Sequence, residues 1–152
     1  MNMQLTSSAF EHNRPIPQKY SCDGQNISPA LSWEGEPVES ESYVLLCDDP
    51  DAPGGTFVHW VYYNIPAEVN SLPEAVANDP QPGPGGLQGK NSFGKTGYGG
   101  PCPPGGTHRY FFTLYALDFK VDAPAGLDKQ KLQQAIDGHV IAEAQLMGTY
   151  SR

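Results

Sequence analysis

Two dense clusters in the chain hold the residue types that do chemistry. The first is Asp48-Asp49-Pro50-Asp51-Ala52-Pro53, followed by His59-Trp60 and then Asn64-Ile65-Pro66. The second is Gly97-Tyr98-Gly99-Gly100-Pro101-Cys102-Pro103-Pro104, which leads into His108-Arg109-Tyr110. Three carboxylates at the end of an apolar strand are costly unless each gains hydrogen bonds or a counter-charge. The prolines fix φ around them and so pre-aim the side chains. Glycine permits close approach of a ligand to backbone N–H groups, and concave runs of this kind can hold an anion. A catalytic use of the same residues is the rival: Asp49, His59 and His108 as a facial metal triad, or as a base and its orienter. No serine or cysteine stands in a G-x-S-x-G or comparable nucleophile context, although Cys102 lies in a loop where a thiol could react.

The elements that must position these clusters read as strands. Gly/Pro clusters alternate with short apolar runs, and strands are expected over 42–47, 56–65 and 109–117. In the last, Tyr110, Phe112, Leu114 and Ala116 alternate with Phe111, Thr113, Tyr115 and Leu117, so both faces carry bulk and the strand belongs in the middle of a covered sheet. One helix is predicted over 128–137, with Asp128 as N-cap and Gly138 as its stop. A strand from 140 to about 150 follows, with a continued helix as the competing reading. A short helical turn is expected after Ser71, where Pro73 fits an early position. The stretch 78–106 holds most of the Gly and Pro; loops of that length are functional or disordered, and Phe93, Tyr98 and Cys102 are read as its buried anchors.

Composition narrows the function classes. The 152 residues include 17 Gly and 15 Pro, and only 17% are charged, which disfavours long Lys/Glu-rich helices and coiled coils. The formal charge of −8 gives no long-range attraction to nucleic acid or an anionic bilayer, so any anion must be captured locally. No apolar run approaches the length of a membrane span, and the N-terminus lacks a basic and apolar leader, so a single cytoplasmic domain over 1–152 is expected. Three cysteines, Cys22, Cys47 and Cys102, lack C-x-x-C spacing. Free thiols are the expectation, Cys47 as a core residue, with a conditional Cys22–Cys102 bridge as the alternative.

Asp49-Pro50-Asp51-Ala52-Pro53, His59-Trp60, Gly100-Pro101 and His108-Arg109-Tyr110 together resemble the two signature regions of the phosphatidylethanolamine-binding, or Raf kinase inhibitor-like, protein family. Ile16-Pro17, Tyr20-Ser21-Cys22-Asp23-Gly24, Ser28 to Trp33 and Gly148-Thr149-Tyr150 are similar to its bacterial and archaeal branch. The resemblance covers essentially the whole chain. It implies a mainly β fold, a Greek-key β-sandwich with one or two peripheral helices. It also implies a non-enzymatic pocket for a small anion such as phosphate or a phosphoethanolamine head group, without cofactor or metal. The pocket residues it implies are Asp49, His59, Gly100, Pro101, His108 and Tyr110. The C-terminal helix that closes the pocket in mammalian members has no counterpart after Tyr150, which implies a more open site. Relatives further imply a homodimer and inhibition of a protein kinase or a serine protease.

The residue chemistry suits a negatively charged ligand. Imidazoles at His59 and His108 can donate to an oxyanion, and Asp49 can orient a histidine or accept from a ligand donor. Backbone amides of the glycine-rich loop would add two or three donors, so changing Gly100 is expected to hurt anion binding more than stability. Asp51 is expected to be structural, and Arg109 to pair with Asp51 or Asp118.

Overall fold

The computed structural model describes residues 2–152. Its elements in chain order are β1 (Gln4–Thr6), β2 (Arg14–Pro15), a 3-10 turn (Gln18–Tyr20), β3 (Leu31–Glu34), β4 (Ser42–Asp49), β5 (Phe57–Pro66), β6 (Ser71–Leu72), β7 (Leu87–Gln88), β8 (Thr107–Leu117), α1 (Lys129–Ile136) and β9 (Val140–Ser151). One sheet runs β2-β9-β8-β4-β5-β7 and a smaller one β1-β3-β6. The fold is mainly β, with two sheets and one α-helix among the described residues. After the β4–β5 hairpin the chain returns to lay β8 beside β4, the long connection of Greek-key type.

Alternation in β4, β5 and β8 builds two layers of core. Tyr43, Leu45, Cys47, Phe112 and Leu114 face Leu5, Leu31, Trp33 and Leu72 of the smaller sheet. On the opposite face Val44, Leu46, Val61 and Leu117 pack with Leu132 and Ile136 of α1. The bulk on both faces of β8 is thus explained by two covering layers. Asp128 caps α1 by accepting from the Lys131 amide at 2.8 Å. The segment beyond Gly138 is strand, not helix: β9 pairs antiparallel with β8 from Val140↔Leu117 to Ser151↔Thr107, and cross-strand pairing outweighs the helix preference of its Ala, Glu and Gln residues.

Three expectations are corrected. No helical turn follows Ser71, because Ser71–Leu72 pairs with Leu31–Ser32 instead. Cys22 and Cys102 are joined in a disulfide, and only Cys47 is free, buried in the core with its thiol pushed up by burial and by Asp48 and Asp49. Phe93 is not a buried anchor: it is 43% exposed. The 78–106 stretch is held instead by Gln88, fully buried, whose amide donates to Ala77 O (2.7 Å) and Asp79 O (2.8 Å) and accepts from Trp60 Nε1 (2.7 Å). Tyr98 adds a second anchor, its hydroxyl donating to Tyr20 O at 2.7 Å. Among the described residues no helix is long and apolar enough to cross a membrane.

Candidate functional site

A cavity of about 260 Å³ opens at the end of the large sheet where β4 stops and β8 starts. Asp49, the last residue of β4, shares a sheet face with Cys47 and Leu45, while His108 and Tyr110 alternate onto that face from β8. His59 reaches it by an irregularity. Trp60 pairs with Cys47, yet Val58 pairs with the next residue, Asp48, so β5 carries one extra residue at His59. This β-bulge lets His59 and Trp60, consecutive in sequence, serve one face: Trp60 fills the core and His59 lines the cavity. Phe57 lies two residues before His59 and lines the cavity with it.

The floor is a hydrogen-bonded set. His108 Nδ1 donates to Asp49 Oδ2 at 2.6 Å, with both side chains almost wholly buried. Asp49 Oδ1 accepts from the Asp51 amide at 2.8 Å, a local turn of the kind Asp-Pro-Asp favours. Asp51 then grips β8: its carboxylate accepts from Arg109 Nε and Nη2, each at 2.8 Å, and from the Arg109 amide at 3.0 Å. The Arg109 side-chain bonds hold the Asp51 carboxyl down at about 2. Arg109 therefore pairs with Asp51, not Asp118, which accepts from His139 Nδ1.

His59 Nδ1 lies 2.7 Å from Gly99 O, and a carbonyl can only accept, so the proton of the neutral ring sits on Nδ1. Burial pushes the His59 pKa down, opposed by the Gly99 carbonyl and the Asp49 charge. Each imidazole is thus pinned through Nδ1, and Nε2 has no hydrogen-bond partner among the described residues. Tyr110 stands edge-on to His59, and its buried hydroxyl makes no hydrogen bond. Burial, then the Asp49 charge, pushes that hydroxyl's pKa far up, so it is a proton donor at any ordinary pH.

Of the six residues proposed from the sequence, Asp49, His59, His108 and Tyr110 converge on the cavity, whereas Gly100 and Pro101 stand behind it. The Gly100 amide donates to Asn26 Oδ1 at 2.8 Å, and Pro101 O accepts from the Cys22 amide at 3.0 Å. The Gly99 amide is likewise spent, on His59 O at 2.9 Å. The expected backbone donors of the glycine-rich loop are therefore used in docking the loop. A β-carbon at Gly100 would stand 2.2 Å from Tyr20 O, so glycine serves packing there.

The walls are apolar and were not legible as site residues. Phe57 and Phe93 form one side, their ring centroids 4.7 Å apart and both edged against His59. Cys102, Pro103 and Pro104 line the cavity as well, as do Ala52 and Pro53. Phe57 was the one such residue with a sequence signal, standing at i−2 from His59 on an expected strand.

Known proteins resemble this chain in sequence and in fold. The family model for phosphatidylethanolamine-binding protein matches residues 6–151. A UPF0098 protein of Methanothermobacter thermautotrophicus is 49% identical over 150 residues, covering 99% of both chains, and one of Chlamydia trachomatis is 46% identical over 155 residues with the same coverage. A solved structure from Chlamydia trachomatis, described as a phosphatidylethanolamine-binding protein homologue, superposes with a TM-score of 0.90 at 45% identity, covering 99% of this chain and 98% of that one. E. coli YbcL, described as a new member of the mammalian family, gives 0.93 at 32% identity over 100% and 99% of the two chains. On this evidence, the chain belongs to the phosphatidylethanolamine-binding protein family.

Proposed function

We propose that the chain is a non-enzymatic binding protein whose pocket takes a small oxyanion head group, phosphate or a phosphate monoester such as phosphoethanolamine. One observation carries this reading: two imidazoles with committed Nδ1 atoms and free Nε2 atoms share a cavity floor with the unpartnered hydroxyl of Tyr110. His108, held through Nδ1 by Asp49, brings a second imidazole to the cavity floor beside the Tyr110 hydroxyl, which is a donor. Neutral His59 offers an acceptor at Nε2. The Tyr110 donor beside the His59 acceptor suits an anion that keeps one proton or carries an ammonium.

Catalysis by the same residues has less support. The Gly99 and Gly100 amides, which could otherwise stabilise a developing oxyanion, are spent within the protein. Cys102, the one thiol at the cavity, is tied in a disulfide. Among the described residues no three His, Cys, Asp or Glu side chains stand close enough to hold a metal ion.

Titration with inorganic phosphate and with O-phosphoethanolamine, followed through the ring resonances of His59 and His108, tests the reading. Both histidines are expected to shift at millimolar ligand. Failure of either to move with either compound would overturn it.

A further inference from the structure

One wall of the pocket depends on a bond that the floor does not need. Asp49, His59, His108 and Tyr110 are carried by β4, β5 and β8, which pair with one another and with β9 along their length apart from local shifts of register. The Cys102–Pro104 wall lies on a loop whose hydrogen bonds stop short of it on one side. Tyr98, Gly99, Gly100 and Pro101 are each tied by hydrogen bonds to Tyr20, His59, Asn26 and Cys22. The next amide bond comes only at Gly106, which pairs both ways with Arg152. Pro103 and Pro104 have no N–H to offer. Between those anchors the disulfide to Cys22 is the covalent tie, supplemented by Arg152 Nη1, which reaches Cys102 Sγ and Pro103 O at 3.5 Å each. Cys102 is exposed and Cys22 partly so, and a reagent can therefore reach the bond.

We propose that the Cys22–Cys102 bond is a redox latch on the pocket: oxidised, it sets the Cys102–Pro104 wall against the floor, and reduction by a dithiol frees that wall and weakens ligand binding. This rests on the pocket being the ligand site. In the exchange, one thiolate of the dithiol attacks Cys22 Sγ, forming a mixed disulfide and breaking the protein S–S bond. Cys102 leaves as a thiolate beside the Arg152 guanidinium, which favours it as the leaving group. The second thiol of the reagent then attacks its own bound sulfur and releases Cys22. The dithiol ends as a cyclic disulfide, and the protein has gained two electrons and, on protonation of the thiolates, two protons. Cys47 takes no part, since it is buried and its thiol is pushed up by that burial.

The test compares the oxidised protein, the dithiothreitol-reduced protein and Cys22→Ser, which removes the bond while leaving the Cys102 sulfur at the cavity. Two readouts are taken: amide hydrogen exchange, and titration with inorganic phosphate. Reduction is expected to speed exchange at Gly106, whose amide is bonded to Arg152 O, while β4 and β8 stay protected. Phosphate should bind about fivefold more weakly, because the ligand must then order the wall that the bond holds for it. Cys22→Ser should match the reduced protein and ignore dithiothreitol. Equal phosphate affinity in the oxidised and reduced proteins overturns the latch. If neither form binds phosphate, the pocket reading falls, and unchanged exchange at Gly106 would separately overturn the latch.

Discussion

Tyr110 lies edge-on to His59, ring centroids 5.1 Å apart and planes at 81°, and of these two neighbours on the cavity floor only His59 has its polar atom tied within the protein. A buried hydroxyl without a partner costs free energy in the ligand-free protein and is available to a ligand.

Tyr110→Phe separates those two effects. The variant is expected to be as stable as the parent or up to about 1 kcal/mol more stable, since an unsatisfied buried group is removed. Its phosphate affinity should fall by about tenfold, the worth of one hydrogen bond to a charged acceptor. Urea unfolding and calorimetric titration read the two quantities. Loss of stability with unchanged affinity would contradict the role given to the hydroxyl.

Asp49 and His108 form a buried pair, so the two partners are not equivalent when removed. His108→Ala leaves the Asp49 carboxylate buried without its main partner and is expected to cost about 3 kcal/mol. Asp49→Asn keeps an acceptor for His108 Nδ1 without the charge and should cost less. The double variant should recover part of the His108→Ala loss, a coupling that a double-mutant cycle in urea measures directly.

His59 gives the pocket a pH dependence with a definite sign. Its folded-state pKa is pushed below the ordinary 6.5, chiefly by burial. The unfolded chain therefore takes up its proton first as pH falls, and stability from this residue is full above about pH 6.5 and is lost as pH drops below it. At pH 7 the ring is expected to be neutral with its proton on Nδ1, which ring 15N shifts report. A doubly protonated ring at pH 7 would contradict this.

Gly100→Ala is expected to act on stability first, contrary to the role the glycine-rich motif suggests. The new methyl would meet Tyr20 O and Asn26 Oδ1 at 2.2 and 2.6 Å, and relieving such overpacking costs about 1–3 kcal/mol. The loop would shift with it, so denaturation midpoint and phosphate affinity should fall together. A fall in affinity with an unchanged midpoint would restore Gly100 to the ligand.

The strands that carry the pocket were legible because alternation is a local signal: β4, β5, β8 and the helix α1 lie close to where period and capping put them. Asp49, His59, His108 and Tyr110 were legible through ordered motifs. What those motifs concealed is how the residues arrive. Strict alternation would send His59 and Trp60 to opposite faces, and only the bulge opposite Cys47 and Asp48 brings both to one. Phe93 shows the converse, an aromatic in a Gly-rich loop that reads as an anchor yet remains 43% exposed at the cavity wall.

The sequence by itself determined the mainly β class, the family and the four polar residues of the floor, because strand period and motif spacing are properties of neighbours along the chain. Only the tertiary structure decided that the glycine-loop amides are spent in docking the loop, that Cys22 and Cys102 meet, and that the walls are aromatic and proline-lined. Each of these is a contact between segments far apart in the chain; Cys22 and Cys102 are 80 residues apart. Whether two such groups meet depends on how the sheets and loops pack, which no local pattern encodes.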